Sequence, residues 1–244
     1  MVDKVKNMWY TLVVSKERRQ NKMTKIDKRK SYFLVFDTET TNGLDDPIMY
    51  DLGGAVIDKK GKVYETFSLI IDEVFNGMKD LMQSAYYAKK IPMYEEQIAK
   101  GERKVVSMYE ARKIFQDLCK KYNVKACIAH NARFDYRSTA KTQRYLTKSK
   151  FRFFLPYGVE LWDTMKMAND TICKQVHYKE WCYNHGYLTK NGRVRKTAEI
   201  LYRYISGQHD FIESHTGLED VMIEKEIFVH CMRQHKPMRK ECFA

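Results

Sequence analysis

The feature that most constrains the fold is an unbroken run of β-forming residues, Ser31–Phe36 (SYFLVF), which leads directly into an acidic segment. A continuous apolar run is typical of a central strand that is buried on both faces, whereas a half-exposed strand alternates apolar and polar residues. A strand of this kind requires packed layers on both sides of its sheet. The run therefore predicts a layered α/β domain.

The rest of the chain alternates strand-like and helix-like segments. Further strands are predicted at Leu52–Ile57, Val63–Ile71, Lys125–His130 and Val159–Trp162, with turns at Asp58–Gly61 and Asn191–Gly192. Helices are predicted at about 72–86, 107–122, 132–146, 164–171, 175–185, 196–206 and 217–234. Three early strands followed by alternating strands and helices indicate a mixed five-stranded central sheet flanked by helices.

The charge is strongly positive, +13 over 244 residues, and seven of these charges lie within residues 1–30. We expect residues 1–30 to be a mobile basic arm, 31–235 the folded domain, and 236–244 a short basic tail. Met23 is an alternative start, and we expect neither a secretory signal nor a membrane span. A net charge of this size favours a polyanionic partner.

The six cysteines are scattered and include no CxxC pair, which favours free thiols in a cytoplasmic protein, the cytoplasm being the host's if the source is viral. A zinc site built from Cys173, His177, Cys182 and His185 is the alternative. Because their spacings are short and the segment is predicted to be helical, core thiols and surface imidazoles are favoured.

Three groups of polar residues follow predicted elements. Asp37 and Glu39 are two residues apart at the end of the first strand, so their side chains point to the same face. Asn131 is predicted to cap a helix whose first turn contains Asp135.

The third group lies at the start of the last helix. Thr216 and Glu219 have the spacing of a capping box, which places His215 just outside that helix and Asp220 in its first turn. Separately, each of the three groups also fits a solvated turn or a helix start.

Together the three groups supply four carboxylates and a histidine in a basic protein. Carboxylate oxygens are preferred by Mg²⁺ and Mn²⁺, and a pair of such ions can activate water against a phosphodiester. A histidine titrates near neutral pH and can accept the water's proton. The combination indicates a metal-dependent nuclease.

The segments FDTETT at 36–41, HNARFD at 130–135 and HTGLED at 215–220, with LWDT at 161–164, resemble the motifs of the DEDDh, or DnaQ-like, 3′–5′ exonucleases. The resemblance covers about residues 31–235 and extends to the proofreading exonuclease subunits of bacterial or phage replicases. It implies a ribonuclease H-like fold and catalysis with two Mg²⁺ or Mn²⁺ ions.

The resemblance also implies roles for individual residues. Asp37 would bridge both ions, Glu39 and Asp220 would complete the first metal site, Asp135 would support the second, and His215 would be the general base. Asp163 is interpreted as a residue that starts a helix, with a direct ligand role as the alternative.

Substrate contacts are expected from a wider set of residues. By the resemblance these are Thr38, Thr40, Leu44, Asn131 and Phe134. Basic and aromatic clusters that could follow a single strand are Tyr86, Tyr87, Lys89, Lys90, Arg193, Arg195 and Lys196. The sequence departs from the family pattern at Asn42-Gly43, Gly217 and Glu219, and the first departure could alter the loop that holds the terminal nucleotide.

The function predicted from the sequence is a 3′–5′ exonuclease that releases nucleoside 5′-monophosphates, with DNA favoured as the substrate. The alternatives are an exoribonuclease with the same chemistry, and a non-catalytic nucleic-acid-binding or polymerase-docking subunit. The expected partners are a nucleic acid with a free 3′ end and, for proofreading, a DNA polymerase.

Overall fold

The computed structural model describes residues 26–41, 46–84, 88–148 and 153–243. Residues 26–30 include a turn in which the Lys30 N–H donates to the Asp27 carbonyl at 3.0 Å. Residues from Ser31 onward form one compact unit. Most of the predicted arm, including Met23, and the Asn42-Gly43 turn lie outside the described residues.

The compact unit is built on a mixed six-stranded sheet in the order β4-β3-β2-β1-β5-β6. The strands are β1 (Tyr32–Thr41), β2 (Ile48–Asp58), β3 (Val63–Ile71), β4 (Lys104–Val106), β5 (Ala126–Ala129) and β6 (Glu160–Asp163). Strand β2 runs antiparallel to β1 and β3, and the other neighbouring pairs are parallel. The α/β class and the central, fully buried position of Tyr32–Phe36 are confirmed.

The strand count, the end of β1 and the start of β2 differ from the sequence predictions, since β2 begins at Ile48 and was predicted from Leu52. The sheet has six strands instead of five, because the three-residue β4 is too short to give a periodic signal. The first strand was predicted as Ser31–Phe36, but it continues to Thr41, with Asp37 paired to Gly53 and Glu39 paired to Asp51. Backbone pairing with the long β2 carries the strand through its acidic residues.

Nine α-helices occur in the described residues. They are α1 (Asp72–Phe75), α2 (Lys79–Ser84), α3 (Ile91–Ala99), α4 (Met108–Tyr122), α5 (Arg133–Thr147), α6 (Thr164–Asp170), α7 (Val176–Asn184), α8 (Ala198–Ser206) and α9 (Gly217–Arg233). The helix predicted at about 72–86 is two short helices separated by Asn76–Met78, and α3 was not predicted. The boundaries of the other helices agree with the sequence predictions within about two residues.

The last helix, α9, packs against β1 and β2 and completes one layer of the core. On that side Phe33 contacts Trp162 and Phe228 with ring centroids 5.4 Å and 5.0 Å apart. At the start of α9 the backbones of Gly53 and Gly217 meet, since a Cβ atom on Gly53 would lie 2.1 Å from the Gly217 carbonyl carbon. This close approach fixes the first turn of α9 beside β2.

The residues after α9 return to the sheet and lie along β6. The Asp163 N–H donates to the Lys240 carbonyl at 2.7 Å, and the Cys242 N–H donates to the Leu161 carbonyl at 2.8 Å. Arg239 forms a two-pronged ion pair with Asp170. Most of the stretch predicted as a basic tail is therefore packed on the domain.

The six cysteines are buried and free. Cys173 and Cys182 are buried whereas His177 and His185 are exposed, and these four residues do not form a cluster of ligand atoms within the described part of the chain. No helix in the described ranges combines the length and the apolar character needed to cross a bilayer.

Candidate active site

The predicted acidic residues and His215 come together in one open cleft of about 830 Å³. Asp37 and Glu39 reach it from β1, Asp135 from the first turn of α5, and Asp220 from the first turn of α9. Because β1 and β5 are parallel neighbours, the residues that follow β5 lie at the same edge of the sheet as Asp37. The fold thus gathers residues that are nearly 200 positions apart in sequence.

One end of the cleft forms a compact set of possible metal ligands. One ligand atom from each of Glu39, His215 and Asp220 lies within 4.8 Å of the others. The Asp220 carboxylate accepts hydrogen bonds from the Thr216 N–H at 3.1 Å and the Ser214 hydroxyl at 3.2 Å. The loop before α9 therefore supplies hydrogen-bond donors to both oxygens of the Asp220 carboxylate.

The local structure at the start of α9 corrects one sequence prediction. Thr216 is the N-cap residue, but its side chain makes no capping hydrogen bond, and Glu219 pairs with Arg103 at 2.8 Å. The Thr216 N–H instead binds the Asp220 carboxylate, so the predicted capping box is wrong. His215 has a φ of +51°, which turns the chain sharply into the helix.

The other end of the cleft is organised around Asp135, which is almost fully buried. Its Oδ1 accepts hydrogen bonds from the Thr38 N–H at 3.1 Å and the Thr38 hydroxyl at 2.9 Å. Asp37 directly precedes Thr38 on β1, and its buried Oδ2 has no hydrogen-bond partner among the described residues. A buried carboxylate oxygen without a partner is costly unless a cation or a proton satisfies it.

Burial and mutual repulsion perturb every carboxyl group of the cluster. Burial raises the pKa of Asp37 well above its usual value, and the charge of Asp135 raises it further. Burial raises the pKa of Glu39 to about 8, with a second contribution from Asp51. Burial also raises the pKa of Asp135 to about 7, against hydrogen bonds from Thr38 that lower it. The protein holds acids here in an environment that disfavours their negative charge.

The pKa values of Asp220 and His215 shift in opposite directions, as their surroundings predict. Burial raises the pKa of Asp220 well above its usual value, and Glu213 adds to this increase. Burial lowers the pKa of His215, and the nearby Lys90 ammonium lowers it further. Both effects favour a neutral imidazole at neutral pH.

Glu224 is a cleft residue that was not predicted. It lies one helical turn after Asp220, is 3% exposed, and lines the cleft. Its buried Oε2 has no hydrogen-bond partner among the described residues, and burial raises the pKa of its carboxyl group, with Asp135 as the next cause. The signal that could have found it is the four-residue spacing from Asp220, which places both acids on one helix face.

A hydrogen-bonded group around Asp51, which the sequence did not reveal, supports the start of α9 from β2. Asp51, fully buried on β2, accepts hydrogen bonds from Arg103 at 2.9 Å, Tyr94 at 2.9 Å and the Gly217 N–H at 3.0 Å. Arg103 also donates to Glu219 at 2.8 Å. An acidic residue in an otherwise apolar strand was the available signal for Asp51, whereas Arg103 gave none.

The predicted substrate contacts divide into three groups. Thr38, Thr40, Asn131 and Phe134 line the cleft. Lys90 donates hydrogen bonds to the backbone carbonyls of Ser214 and His215, so it holds the loop that carries His215. Leu44 and Tyr86 lie outside the described residues, as does Tyr87.

Asn131 does not act as predicted, since the N-cap residue of α5 is Ala132 and no side chain caps this helix. Asn131 has a φ of +61°, and its N–H donates to Asp163 Oδ1 at 3.1 Å. The same Asp163 oxygen accepts from the Met165 N–H at 2.9 Å and caps α6. The interpretation of Asp163 as a helix-starting residue is confirmed.

The donor set fits divalent metal ions. It consists almost entirely of carboxylate oxygens, which hard cations such as Mg²⁺ and Mn²⁺ prefer. Positive charge would satisfy the unpartnered Asp37 oxygen and offset the repulsion among the acids. Glu39 and Asp220, with His215 beside them, could hold one ion, and Asp37 with Asp135 could hold another.

Comparisons with protein-family models and with curated proteins find no match. Solved structures do match. One is a 3′-exonuclease that recognises the 3′ end of the histone mRNA stem-loop, with a TM-score of 0.56 and 13% sequence identity over 98% of this chain and 76% of that chain. This match shows that the fold is the ribonuclease H-like fold expected from the motifs.

Two further matches have lower scores. Exonuclease X in complex with 5′-overhanging duplex DNA gives a TM-score of 0.43 and 17% identity, over 83% of this chain and 92% of that chain. Exonuclease I of E. coli in complex with a dT13 oligonucleotide gives a TM-score of 0.49 and 13% identity, over 80% of this chain and 39% of that chain.

Proposed function

We propose that this protein is a metal-dependent 3′–5′ exonuclease. The observation that carries the proposal is the cluster of buried Glu39, Asp135 and Asp220 with half-buried Asp37 around an open cleft, in which one Asp37 carboxylate oxygen has no partner among the described residues. A soluble domain gains no stability from such a cluster, because each carboxylate is desolvated and repels the others. Cations bound for catalysis would offset both costs.

The roles follow from where each group lies. When bound, Mg²⁺ or Mn²⁺ would supply an activated water and stabilise the leaving oxygen. Asp37, Glu39, Asp135 and Asp220 would hold the ions. The cleft walls at Thr40, Asn131 and Phe134 would position the terminal nucleotide.

His215 is the proposed general base. It is partly exposed at the cleft, and its lowered pKa favours the neutral form that can accept a proton. Its Nδ1 lies 3.9 Å from Glu213, which can stabilise the imidazolium formed after proton transfer. Lys90 fixes the backbone on both sides of the Ser214–His215 peptide, so the ring is presented from a supported loop.

The substrate predicted from the sequence is DNA, and RNA is the second candidate. The net charge of +13 supports either polyanion. The RNA candidate is supported by the match with a TM-score of 0.56, a 3′-exonuclease that recognises the 3′ end of a histone mRNA stem-loop. Proofreading for a separate DNA polymerase is a further proposal, which a mismatched primer terminus would test against a matched one.

A labelled-oligonucleotide assay tests the proposed function. DNA and RNA strands, labelled at the 5′ or 3′ end, are incubated with Mg²⁺, Mn²⁺ or EDTA. We expect stepwise shortening from the 3′ end with release of nucleoside 5′-monophosphates, and none in EDTA.

The Glu39→Gln variant should be inactive in this assay, whereas Glu95→Gln, which changes an exposed acid on α3, should remain fully active. Absence of shortening with every substrate and metal would overturn the proposal. Equal activity in EDTA on metal-stripped protein would do the same.

A further inference from the structure

The segment between α7 and α8 forms a short hairpin at the rim of the cleft. We call residues 187–196 the basic hairpin. Leu188 and Val194 pair across it, the Thr189 N–H donates to the Arg193 carbonyl at 2.7 Å, and Gly192 has a φ of +69°. The predicted Asn191–Gly192 turn is its tip.

The exposed side chains of the basic hairpin are strongly cationic. Lys190, Arg193, Arg195 and Lys196 are all exposed, and residues 186–198 contain no acidic residue. The cleft beside them is, in contrast, lined by acids. The basic hairpin therefore presents the positive electrostatic potential that attracts a polyanion approaching the cleft.

The inner side of the basic hairpin is anchored, so its cations are held in place. The Arg195 N–H donates to the Tyr187 carbonyl at 3.0 Å, and the hydroxyl of the buried Tyr178 donates to the Arg195 carbonyl at 2.5 Å. Leu188 and Val194 pack against the hydrophobic core. A ligand bound here would not have to order a flexible loop.

The hairpin is also joined directly to the cleft wall. His130 Nε2 donates to the Lys196 carbonyl at 2.8 Å, and the Thr164 hydroxyl donates to the other ring nitrogen at 2.8 Å. The next two residues, Thr197 and Ala198, line the cleft together with His130. The cationic surface is therefore continuous with the site.

A group of aromatic rings, the ring cluster, lies at the base of the hairpin. His185 lies nearly parallel to Tyr187 and to His209, with interplanar angles of 9° and 15°, and its centroid is 5.0 Å from that of Trp181. His185 and His209 are exposed. Flat rings beside a cationic surface offer stacking partners for nucleic-acid bases.

We propose that the basic hairpin and the ring cluster bind the single strand upstream of its 3′ end, by phosphate contacts and base stacking. This inference rests on the proposed exonuclease function and specifies where the rest of the substrate lies. It predicts that affinity depends on strand length, because a strand that fills only the cleft does not reach the hairpin.

The test removes three charges and compares strand lengths. The hairpin variant is Lys190→Ala, Arg193→Ala and Lys196→Ala; Arg195 is retained because its side chain donates to the Leu188 carbonyl. The control variant is Lys59→Ala, Lys60→Ala and Lys62→Ala, which removes three exposed lysines from the β2–β3 turn at the opposite end of the sheet. Both are measured as full-length protein with Mn²⁺.

The expected effect on a long strand can be estimated. Each lost contact with a single-strand phosphate lowers the slope of log K against log salt by about 0.7, so three flatten it by about two. At about 0.1 M salt, strands of about 20 nucleotides should bind roughly a hundredfold more weakly. Strands of about 4 nucleotides, at the lower limit of single-strand footprints, should be cleaved with unchanged KM and kcat.

The ring cluster is tested by His185→Ala with His209→Ala. Affinity for the long strand should fall at least about fivefold, and a long strand without bases in its upstream part should show no such fall. Melting temperatures establish that each variant is folded. If the alanine hairpin variant is not, the corresponding triple glutamine variant replaces it.

The outcomes separate this inference from the proposed function. If wild-type protein shortens strands but the hairpin variant keeps the wild-type length dependence, this inference is wrong and the exonuclease remains. Equal losses in the hairpin and control variants would also overturn it, since the effect would then reflect total charge. If wild-type protein shortens no strand, the proposed function fails first.

Discussion

Raising the pH should destabilise the protein when divalent metal ions are absent, and Glu39 gives the effect a magnitude. Its pKa in the folded protein is about 8, against a usual value of 4.5. The folded state therefore retains a proton that the unfolded state releases. The stabilisation that this proton provides is fully present below about pH 4.5, and it is lost as the pH rises toward the pKa of Glu39 in the folded protein.

Between the unfolded-state and folded-state pKa values, each pH unit lowers the unfolding free energy by about 1.4 kcal/mol for one such group. Between about pH 5 and about pH 8, Glu39 alone removes roughly 4 kcal/mol of unfolding free energy. For a domain of this size that corresponds to a fall in melting temperature of about 10 °C. Asp135, whose pKa is raised to about 7, acts in the same direction.

The assay is thermal unfolding in EDTA across this pH range, on wild-type protein and on Glu39→Gln. Burial lowers the pKa values of His130 and His215, so these residues oppose the trend at acidic pH. The difference between the two proteins isolates the contribution of Glu39. We expect the wild type to lose about 10 °C relative to the variant between the two pH limits.

Saturating Mn²⁺ should abolish most of this difference for the wild type, because cation binding replaces the proton and stabilises the folded state. The exposed-acid variant Glu95→Gln should follow the wild type. A wild-type melting temperature in EDTA that falls no more than that of Glu39→Gln as the pH rises would refute the reasoning. A failure of Mn²⁺ to stabilise the protein at pH 8 would refute the assignment of the cluster to metal binding.

Three further predictions concern single residues. Asp37→Ala should lower the rate about 10³-fold or more if both ions depend on it, and a rate within about tenfold of wild type would remove it from that role. His215→Ala should retain Mn²⁺ affinity, measured by calorimetry, while single-turnover cleavage falls about 10²–10⁴-fold. A parallel loss of affinity would make His215 a ligand. Arg103→Met should cost about 3–5 kcal/mol of unfolding free energy in urea titrations, because Asp51 and Glu219 lose their partner, and a cost below about 1 kcal/mol would show that the ion pairs are dispensable.

The sequence was informative where local pattern and burial agree. Ser31–Phe36 predicted the central strand, Asp163 was recognised as a helix-starting residue, and Val63–Ile71 was predicted with its observed limits. The acids and His215, predicted as one site from three short motifs, lie together in the cleft. These features depend on short stretches of sequence in which the residue types alone indicate burial, capping or metal binding.

The parts that were missed depend on contacts between distant segments. The first strand was predicted to end at Phe36, yet pairing with β2 extends it through Glu39 to Thr41. Thr216 and Glu219 have capping-box spacing, but Glu219 is drawn away by Arg103, which is more than 100 residues earlier. Asn131 lost its expected capping role because Asp163 binds its backbone. Local propensity cannot reveal such partners.

The packing of residues 240–242 along β6 has a consequence for the behaviour of the domain in solution. The backbone groups of an outer strand are a template on which a second chain can add, which is a common route to aggregation. Here the chain's own last residues occupy that edge through Lys240 and Cys242, and the opposite edge is the three-residue β4. A fragment cut after α9 would uncover the β6 edge, and it should self-associate although its cleft is complete.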